Sequence, residues 1–296
     1  MSENELVKNI VNGGYTSGEL TTELADLETK WDFIRAINSP FYTRILFEDS
    51  SAANVVYNSV TAKDLILNSS TALVGISSSF LATKNTFNNS VIAKEILENK
   101  GFYSIFRSNA QAYQNLKACV NTTKLKRSVF LADSALARPA GGFAAMAYCG
   151  IGRGGTNTGS GASSYCGGGG EVKVAHDIDR NEALIITIAS GANTITMPGL
   201  TTFTVAGTTG ATGVGSDTQG GLEALNDRNF LNAAWQFDDF SARGEDGKAF
   251  DNGDITTFPK VKAKAGGDKG FLTYGAGAIP TSPGTPGLIV VYYLEN

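Results

Sequence analysis

Apolar residues in the first half of the chain recur with a period of ten. One set consists of alanines, and a second set, four positions further along each unit, consists of branched or aromatic residues: Ala52, Ala62, Ala72 and Ala82, with Val56, Ile66, Ile76, Ile96 and Phe106. Apolar residues four positions apart share one face of an α-helix. Each ten-residue unit therefore predicts a helical segment, and about nine units are visible between residues 28 and 117.

A continuous helix does not fit this period. Ten residues advance a helix by about 1000°, which leaves each apolar pair roughly 80° out of line with the previous pair. A heptad coiled coil needs a repeat of about 3.5 residues and fits no better. We therefore predict one short helix per unit. The polar pairs Asn58-Ser59, Asn68-Ser69 and Asn88-Asn89 recur in step with the units, and Asn and Ser are preferred helix N-caps.

Short capped helices of this kind predict a solenoid-like array. Successive units would stack, and each would bury its Ala and its Ile or Val against the next. The alternative is an interrupted long helix within an oligomeric stalk.

The second half of the chain is predicted to be β structure. It contains runs rich in β-branched and aromatic residues, which are typical of strands: Glu171–Val174, Leu184–Ile188, Thr202–Val205 and Leu288–Tyr293. Residues that favour turns, such as Gly191-Ala192-Asn193, separate the runs.

Glycine divides the chain, since 5 of its 35 glycines fall in residues 1–140 and 30 fall in residues 141–296. Pro139 and the pair Gly141-Gly142 mark the junction, because proline ends a helix and glycine removes local preference. The sequence predicts an α+β multidomain fold, with a solenoid-like array of short helices followed by a glycine-rich all-β domain. Its four parts are an N-terminal segment 1–27, a decapeptide-repeat helical domain 28–117, a linker 118–142 and a glycine-rich β domain 143–296.

Two segments of the β domain, 150–170 and 206–221, are too rich in Gly, Ser and Thr to supply an apolar core. The run Gly167–Gly170 predicts either a flexible loop or packed polyglycine, and neither buries much apolar surface. If these segments are ordered, we expect that something outside the single chain orders them.

Charge and hydropathy exclude several classes of partner. The formal charge of −4 and the pI near 5.2 give no broad attraction to nucleic acid or to an anionic membrane. No apolar run approaches the roughly 20 residues of a spanning helix, and the polar, acidic N-terminus is unlike a signal peptide. We expect no nucleic-acid partner and no membrane insertion.

Rare residues limit the chemistry. A catalytic triad or a histidine-rich metal site would have to be built around His176, the single histidine of the chain. The cysteines Cys119, Cys149 and Cys166 are three in number and widely spaced, which favours reduced thiols over a disulfide framework or a metal cluster. We therefore predict no catalytic residue, no cofactor and no metal.

A charged and aromatic segment lies between residues 235 and 258. Its carboxylates are Asp238, Asp239, Glu245, Asp246, Asp251 and Asp254. Their spacing does not match a calcium-binding EF-hand loop, and a solvated acidic surface is the favoured interpretation, with a bound cation as the alternative. Its aromatic residues are Trp235, Phe237, Phe240, Phe250 and Phe258. They predict either a core or an exposed surface that contacts a receptor, and Trp235, Phe237, Phe240 and Phe250 are the candidates for that contact.

The decapeptide copies, such as Asn68 to Leu73, resemble repeats of structural proteins in tailed bacteriophages. The second half resembles the glycine-rich domain of phage tail fibres and related virion proteins. The matching features are Gly167–Gly170 leading into Glu171–Val174, then Ile185–Ile188 with Gly191, then Thr201–Val205 and a Gly287–Val291 ending. The two resemblances cover most of residues 38–296, and the insert Leu222–Phe271 departs from the glycine-rich pattern.

The resemblance implies a structural component of a tailed-phage virion, assembled in the host cytoplasm as a homotrimer. Its first implied function is that of a tail fibre that binds the host surface. The N-terminal half would contact other virion proteins, and the C-terminal half would contact a host glycan or protein. A head or neck fibre or a capsid decoration protein is the second expectation. A carboxylate-dependent glycan-degrading enzyme is the alternative from another class, because such enzymes need no histidine.

Overall fold

The computed structural model describes residues 2–159, 164–170, 172–177, 181–188, 192–196, 203–213, 231–235, 240–243, 246–250, 256, 259–263 and 277–296. The chain forms two compact units, Met1–Lys126 with Leu294–Asn296, and Arg127–Tyr293. The first unit is helical and the second contains β-sheets with antiparallel strand pairs. This combination confirms the α+β class.

Eleven helices are described in the first unit, and from the fifth onward each begins ten residues after the one before. Their bounds are α1 Glu3–Val11, α2 Ser17–Glu23, α3 Leu27–Ile37, α4 Pro40–Glu48, α5 Ser50–Asn58, α6 Val60–Leu67, α7 Ser70–Ser78, α8 Phe80–Asn88, α9 Ser90–Glu98, α10 Lys100–Phe106 and α11 Ala110–Cys119. The helix ends and restarts in every unit. The prediction of one short helix per decapeptide is confirmed.

One residue in ten, at the same place in each unit, caps the following helix. In seven consecutive helices the side chain of this residue accepts a hydrogen bond from a backbone N–H of the first turn: Asp49, Ser59, Ser69, Ser79, Asn89, Asn99 and Asn109. Such a bond satisfies a donor that has no partner within the helix. Ser39 makes no such bond before α4, where Pro40 occupies the first turn instead, a position at which proline is pre-organised for a helix. The caps therefore set the period.

The recurring apolar residues form the core of the helical unit. Ala52, Val56, Ala62 and Ile66 are all 0% exposed. From α3 onward each helix packs against the next, as predicted. Several helices also pack against those three and four further along: α4 packs against α7 and α8, and α7 against α10 and α11. The units therefore wind into an array with three to four helices per turn. The sequence predicted contacts only between successive units, so that prediction was incomplete.

The unit boundaries differ from the predicted domain limits. Helices α1 and α2 lie in the predicted separate segment 1–27 but belong to the helical unit, where α1 packs against α4 and α5, and α2 packs against α5 and α6. The predicted linker 118–142 contains two strands, β1 Leu125–Phe130 and β2 Ser134–Leu136. The C-terminal residues return to the helical unit, where the Glu295 N–H donates to the Lys124 carbonyl at 3.0 Å.

The second unit is built on a five-stranded sheet of order β1-β11-β3-β5-β9, a four-stranded sheet of order β2-β6-β7-β8 and the pair β10-β4. The further strands are β3 Phe143–Ile151, β4 Ser164–Tyr165, β5 Val172–Asp177, β6 Leu184–Ile188, β7 Ala192–Thr196, β8 Phe203–Ala206, β9 Phe240–Ala242, β10 Ala249–Phe250 and β11 Leu288–Glu295, and a short helix α12 spans Leu231–Ala234. The four predicted strand regions coincide with β5, β6, β8 and β11.

Both large sheets contribute to one apolar cluster in this unit. Met146 and Ile289 come from the five-stranded sheet, and Ile186 and Val205 come from the four-stranded sheet. All four side chains are at most 1% exposed. The inner faces of the two sheets therefore provide the core that the glycine-rich segments lack.

Candidate recognition surface of the glycine-rich unit

The described parts of the glycine-rich segments are ordered by hydrogen bonds within the chain. The Gly155 N–H donates to the Gly168 carbonyl at 2.8 Å, and the Gly168 N–H donates to the Gly210 carbonyl at 2.9 Å. The Gly167 N–H donates to the Ala278 carbonyl at 3.0 Å, and the Ala278 N–H donates to the Gly155 carbonyl at 2.9 Å. We name these bonded segments, residues 152–156, 166–170, 207–213, 246–248 and 277–278, the glycine lattice.

In the described parts of these segments the chain itself supplies the hydrogen-bond partners, which differs from the expectation that something outside the single chain orders them. Residues 160–163 and 214–221 of the same segments lie outside the described residues. The backbone groups of the glycine-rich segments pair with one another, so the lattice needs no apolar core of its own. Of the two interpretations of Gly167–Gly170, the described structure has the packed one.

Close backbone contact explains why the lattice consists of glycine. A Cβ atom on Gly152 would lie 1.7 Å from the Ala206 carbonyl oxygen. A Cβ atom on Gly167 would lie 2.0 Å from the Gly155 carbonyl oxygen. Both separations are far below van der Waals contact, and the neighbouring atoms belong to backbone that cannot rotate away. Any side chain at these positions would push the bonded segments apart.

Strand β4 presents an exposed aromatic ring beside the lattice. Tyr165 is 46% exposed. Its backbone N–H and carbonyl both pair with Thr158, at 2.8 and 2.9 Å, and it lies opposite Ala249 of β10. The following residue, Cys166, donates its N–H to the Lys248 carbonyl at 2.8 Å. The Tyr165 backbone is therefore fixed on two sides while its ring remains accessible.

Exposed polar and charged residues lie in the segments that pair with or adjoin this strand. Thr156, Asn157, Thr209 and Lys248 are exposed. The Thr156 hydroxyl donates to the Thr209 carbonyl at 2.9 Å, which joins two loops of the lattice. An exposed aromatic ring among hydrogen-bonding groups provides the chemistry by which proteins bind glycans and other proteins. We call Tyr165 and these four residues the Tyr165 surface.

The aromatic segment predicted for receptor contact is described only in part. Trp235 is 0% exposed, and its indole Nε1–H donates no hydrogen bond within the described residues. Phe250 is 5% exposed and packs with Cys166 and Ile279. These two side chains follow the core alternative. Phe240 lies in β9, and its side chain, together with Phe237 and Phe258, lies outside the described residues.

Tyr165 was not among the residues predicted for receptor contact. It is the one aromatic residue in the segment 150–170, and that isolation could have drawn attention to it. An aromatic residue surrounded by Gly, Ser and Thr has few apolar partners nearby in sequence. Its exposure depends on how the loops pack, which composition does not reveal.

Asp246 is the described member of the acidic segment. Its carboxylate accepts hydrogen bonds from the Gly213 N–H and from Arg243, both at 2.7 Å. The Gly213 N–H and, secondarily, Arg243 lower the pKa of this carboxyl below its ordinary value. Asp246 thus connects two parts of the lattice. The other five carboxylates of this segment lie outside the described residues: Asp238, Asp239, Glu245, Asp251 and Asp254. Among all the residues that the structure describes, no three His, Cys, Asp or Glu side chains are grouped so that they could hold a metal ion.

The three cysteines are buried, and the single histidine lies in a strand. Cys119, Cys149 and Cys166 are free and buried. Burial raises the pKa of the Cys119 thiol to about 12 and also raises the pKa of the Cys149 thiol, so both remain protonated and unreactive near neutral pH. His176 lies in β5 opposite Ala147 of β3.

Two further findings concern membrane spans and similarity to known proteins. Within the described ranges, no helix has both the length and the apolar character needed to cross a bilayer. Comparison of the chain with models of known protein families and with curated proteins finds no match.

Proposed function

We propose that the chain is a structural component of a tailed-phage virion, a homotrimeric tail fibre whose glycine-rich unit binds the host surface. The observation that carries this proposal is the glycine lattice, which holds the exposed Tyr165 on a backbone frame built by the chain itself. The resemblance of both halves to phage virion proteins supplies the biological setting. The receptor is a glycan or a protein of the host surface.

The lattice suits a recognition surface for a physical reason. Ordering a flexible loop during binding costs free energy that the contact must supply. The loops of the lattice are already ordered by hydrogen bonds such as that from Gly155 to Gly168. A ligand that contacts the Tyr165 surface therefore meets groups already fixed in place.

The helical unit supports attachment to other virion proteins. Leu27 and Trp31 lie four residues apart on α3 and are 72% and 59% exposed, and Phe41 on α4 is 66% exposed. Large exposed apolar side chains in neighbouring elements are typical of protein interaction sites. We assign this surface to the contact with neighbouring virion proteins.

The test of host binding uses the Tyr165→Ala variant of the full chain. If Tyr165 is a central contact, its removal costs about 2 kcal/mol or more, which weakens binding about thirtyfold. The measurement is titration of labelled protein onto host cells. Ile185→Ala is the matched control, because Ile185 is 53% exposed on the same unit but lies in the four-stranded sheet.

Equal binding by both variants would refute the role of the Tyr165 surface. Electron microscopy with an antibody against residues 277–296 then locates the chain on the particle. Label on the tail is expected. Label on the capsid or neck would instead assign the chain to the head or neck fibres and decoration proteins.

A further inference from the structure

A small cavity of about 240 Å³ lies on the surface of the helical unit, between α5 and the junction of α8 with α9. Its lining residues are Ser50, Ser51, Ala53, Asn54, Tyr57, Asn85, Asn88 and Asn89. Pockets for drug-sized ligands measure about 300–1,000 Å³, so this one has room for a single small ring. We propose that it binds a neutral polyhydroxylated ligand, of which one sugar ring is the model.

The lining contains no ionised side chain. Six of its eight residues are Ser or Asn, which offer neutral hydrogen-bonding groups. The nearby carboxylate of Asp49 is already engaged as the N-cap of α5, where it accepts from the Ala52 N–H at 2.8 Å. The chemistry of the lining therefore favours a neutral ligand over an ion.

The carboxamides retain both donors and acceptors that could face a ligand. Asn85 donates to the carbonyls of Phe47 and Glu48, at 2.9 and 3.1 Å, which leaves its Oδ1 as an acceptor. Asn89 accepts from two backbone N–H groups of α9 through Oδ1, which leaves its Nδ2 as a donor. The Asn88 side chain makes no hydrogen bond in the described structure, so its Oδ1 and Nδ2 are both available. A sugar hydroxyl both donates and accepts, so a mixed set of this kind matches adjacent hydroxyls.

Rigid neighbours hold the cavity open. The Tyr57 ring stacks on Phe47 with ring centroids 5.2 Å apart. Its hydroxyl is hydrogen-bonded to Thr86 at 2.5 Å. Since Asn85 and Asn89 are also tied to backbone groups, most of the lining is fixed before a ligand arrives.

The repeat itself provides an internal comparison. Ala53 of α5 and Asn85 of α8 form one pair of residues in the cavity lining. The equivalent pair ten residues later, Lys63 and Glu95, forms an ion pair at 3.6 Å. Ten residues earlier the pair is Thr43 and Gly75, and a Cβ atom on Gly75 would lie only 2.8 Å from Thr43 Cγ2. The space between the two helices is thus closed by an ion pair at Lys63 and Glu95 and by close packing at Thr43 and Gly75. The small Ala53 side chain leaves this space open opposite Asn85.

The test is ligand-observed saturation-transfer NMR on the full chain with glucose, galactose, mannose and N-acetylglucosamine as probes. We expect at least one of them to bind with a Kd in the millimolar range. Asn88→Ala should weaken that binding about tenfold, the result of losing roughly 1.4 kcal/mol of hydrogen bonding. Asn54→Ala tests the opposite wall in the same way.

The matched control is Asn68→Ala, which removes the exposed asparagine at the same place in an earlier unit. It should bind the probe as the unchanged protein does. No saturation transfer from any of the four sugars, equal binding by Asn88→Ala and the unchanged protein, or tighter binding of acetate or phosphate than of the sugars would each overturn the proposal. Host binding through Tyr165 does not enter this test, so the two proposals can fail separately.

Discussion

The substitution Gly167→Ala tests the glycine lattice most directly. The added Cβ atom would lie 2.0 Å from the Gly155 carbonyl oxygen and 2.7 Å from the Ala278 nitrogen. These two atoms are hydrogen-bonded to each other, since the Ala278 N–H donates to the Gly155 carbonyl at 2.9 Å, and the Gly167 N–H donates to the Ala278 carbonyl beside them. The segments must separate to admit the methyl group, so these bonds are strained or lost together.

The magnitude follows from two contributions. Overpacking of a tight site costs about 1–3 kcal/mol. Two net hydrogen bonds contribute about 0.5–1.5 kcal/mol each. We expect Gly167→Ala to lower the free energy of unfolding of the β unit by about 3 kcal/mol or more, which corresponds to a fall in Tm of roughly 6–12 °C for a unit of this size.

Gly210→Ala is the matched control. Gly210 belongs to the same lattice, but a Cβ atom there would meet no atom within 4 Å. A glycine-to-alanine change at an unstrained position stabilises a protein by about 0.4–1 kcal/mol, because it reduces the conformational freedom of the unfolded chain. The two substitutions therefore have opposite expected signs.

The assay is chemical unfolding followed by tryptophan fluorescence. The two tryptophans lie in different units. Trp31 is 59% exposed and Trp235 is 0% exposed, so a Trp31→Phe background makes the fluorescence report on the β unit. A Gly167→Ala transition that coincides with that of Gly210→Ala would refute the argument from close backbone contact.

Two further predictions concern the caps and the acidic bridge. Ser69→Ala should lower the free energy of unfolding of the helical unit by about 1 kcal/mol, because Ser69 caps α7 and also donates to Asn38 at 2.6 Å. Thermal unfolding measured by circular dichroism checks this. The control is Ser70→Ala, which changes the exposed neighbour, and an equal effect of both substitutions would contradict the prediction. The lowered pKa of Asp246 means that its contact with Gly213 stabilises the folded state above the ordinary pKa of 3.8 and is lost as the pH falls through the lower folded value. Asp246→Asn should therefore unfold with a weaker pH dependence in this acid range, and identical pH profiles for the two proteins would contradict the assignment.

Much of the helical unit could be predicted from its sequence. Local interactions determine its helices, because a cap such as Ser59 and a buried pair such as Ala62 and Ile66 all lie within one unit. The winding could not be predicted in the same way. It depends on the angle between consecutive helices, and that angle decides whether α4 packs against α7 and α8.

The glycine-rich unit shows the opposite balance. The β-branched runs that became β6 and β11 were recognised, whereas β3, which contains Ala144, Ala145 and Ala147 and is buried throughout, was missed. Its alanines and glycine carry little β preference of their own, and contacts with β5 and β11 place it in the centre of a sheet.

By itself the sequence determined the ten-residue period, the positions of the caps and the division of the chain by glycine content. These are local properties, since they depend on residues within a few positions of one another. Only the tertiary structure decided that Gly167 packs against Gly155 and Ala278, that Trp235 is buried and that Tyr165 is exposed. Each of these depends on segments far apart in the chain, whose meeting is set by the closure of the two sheets around a shared core.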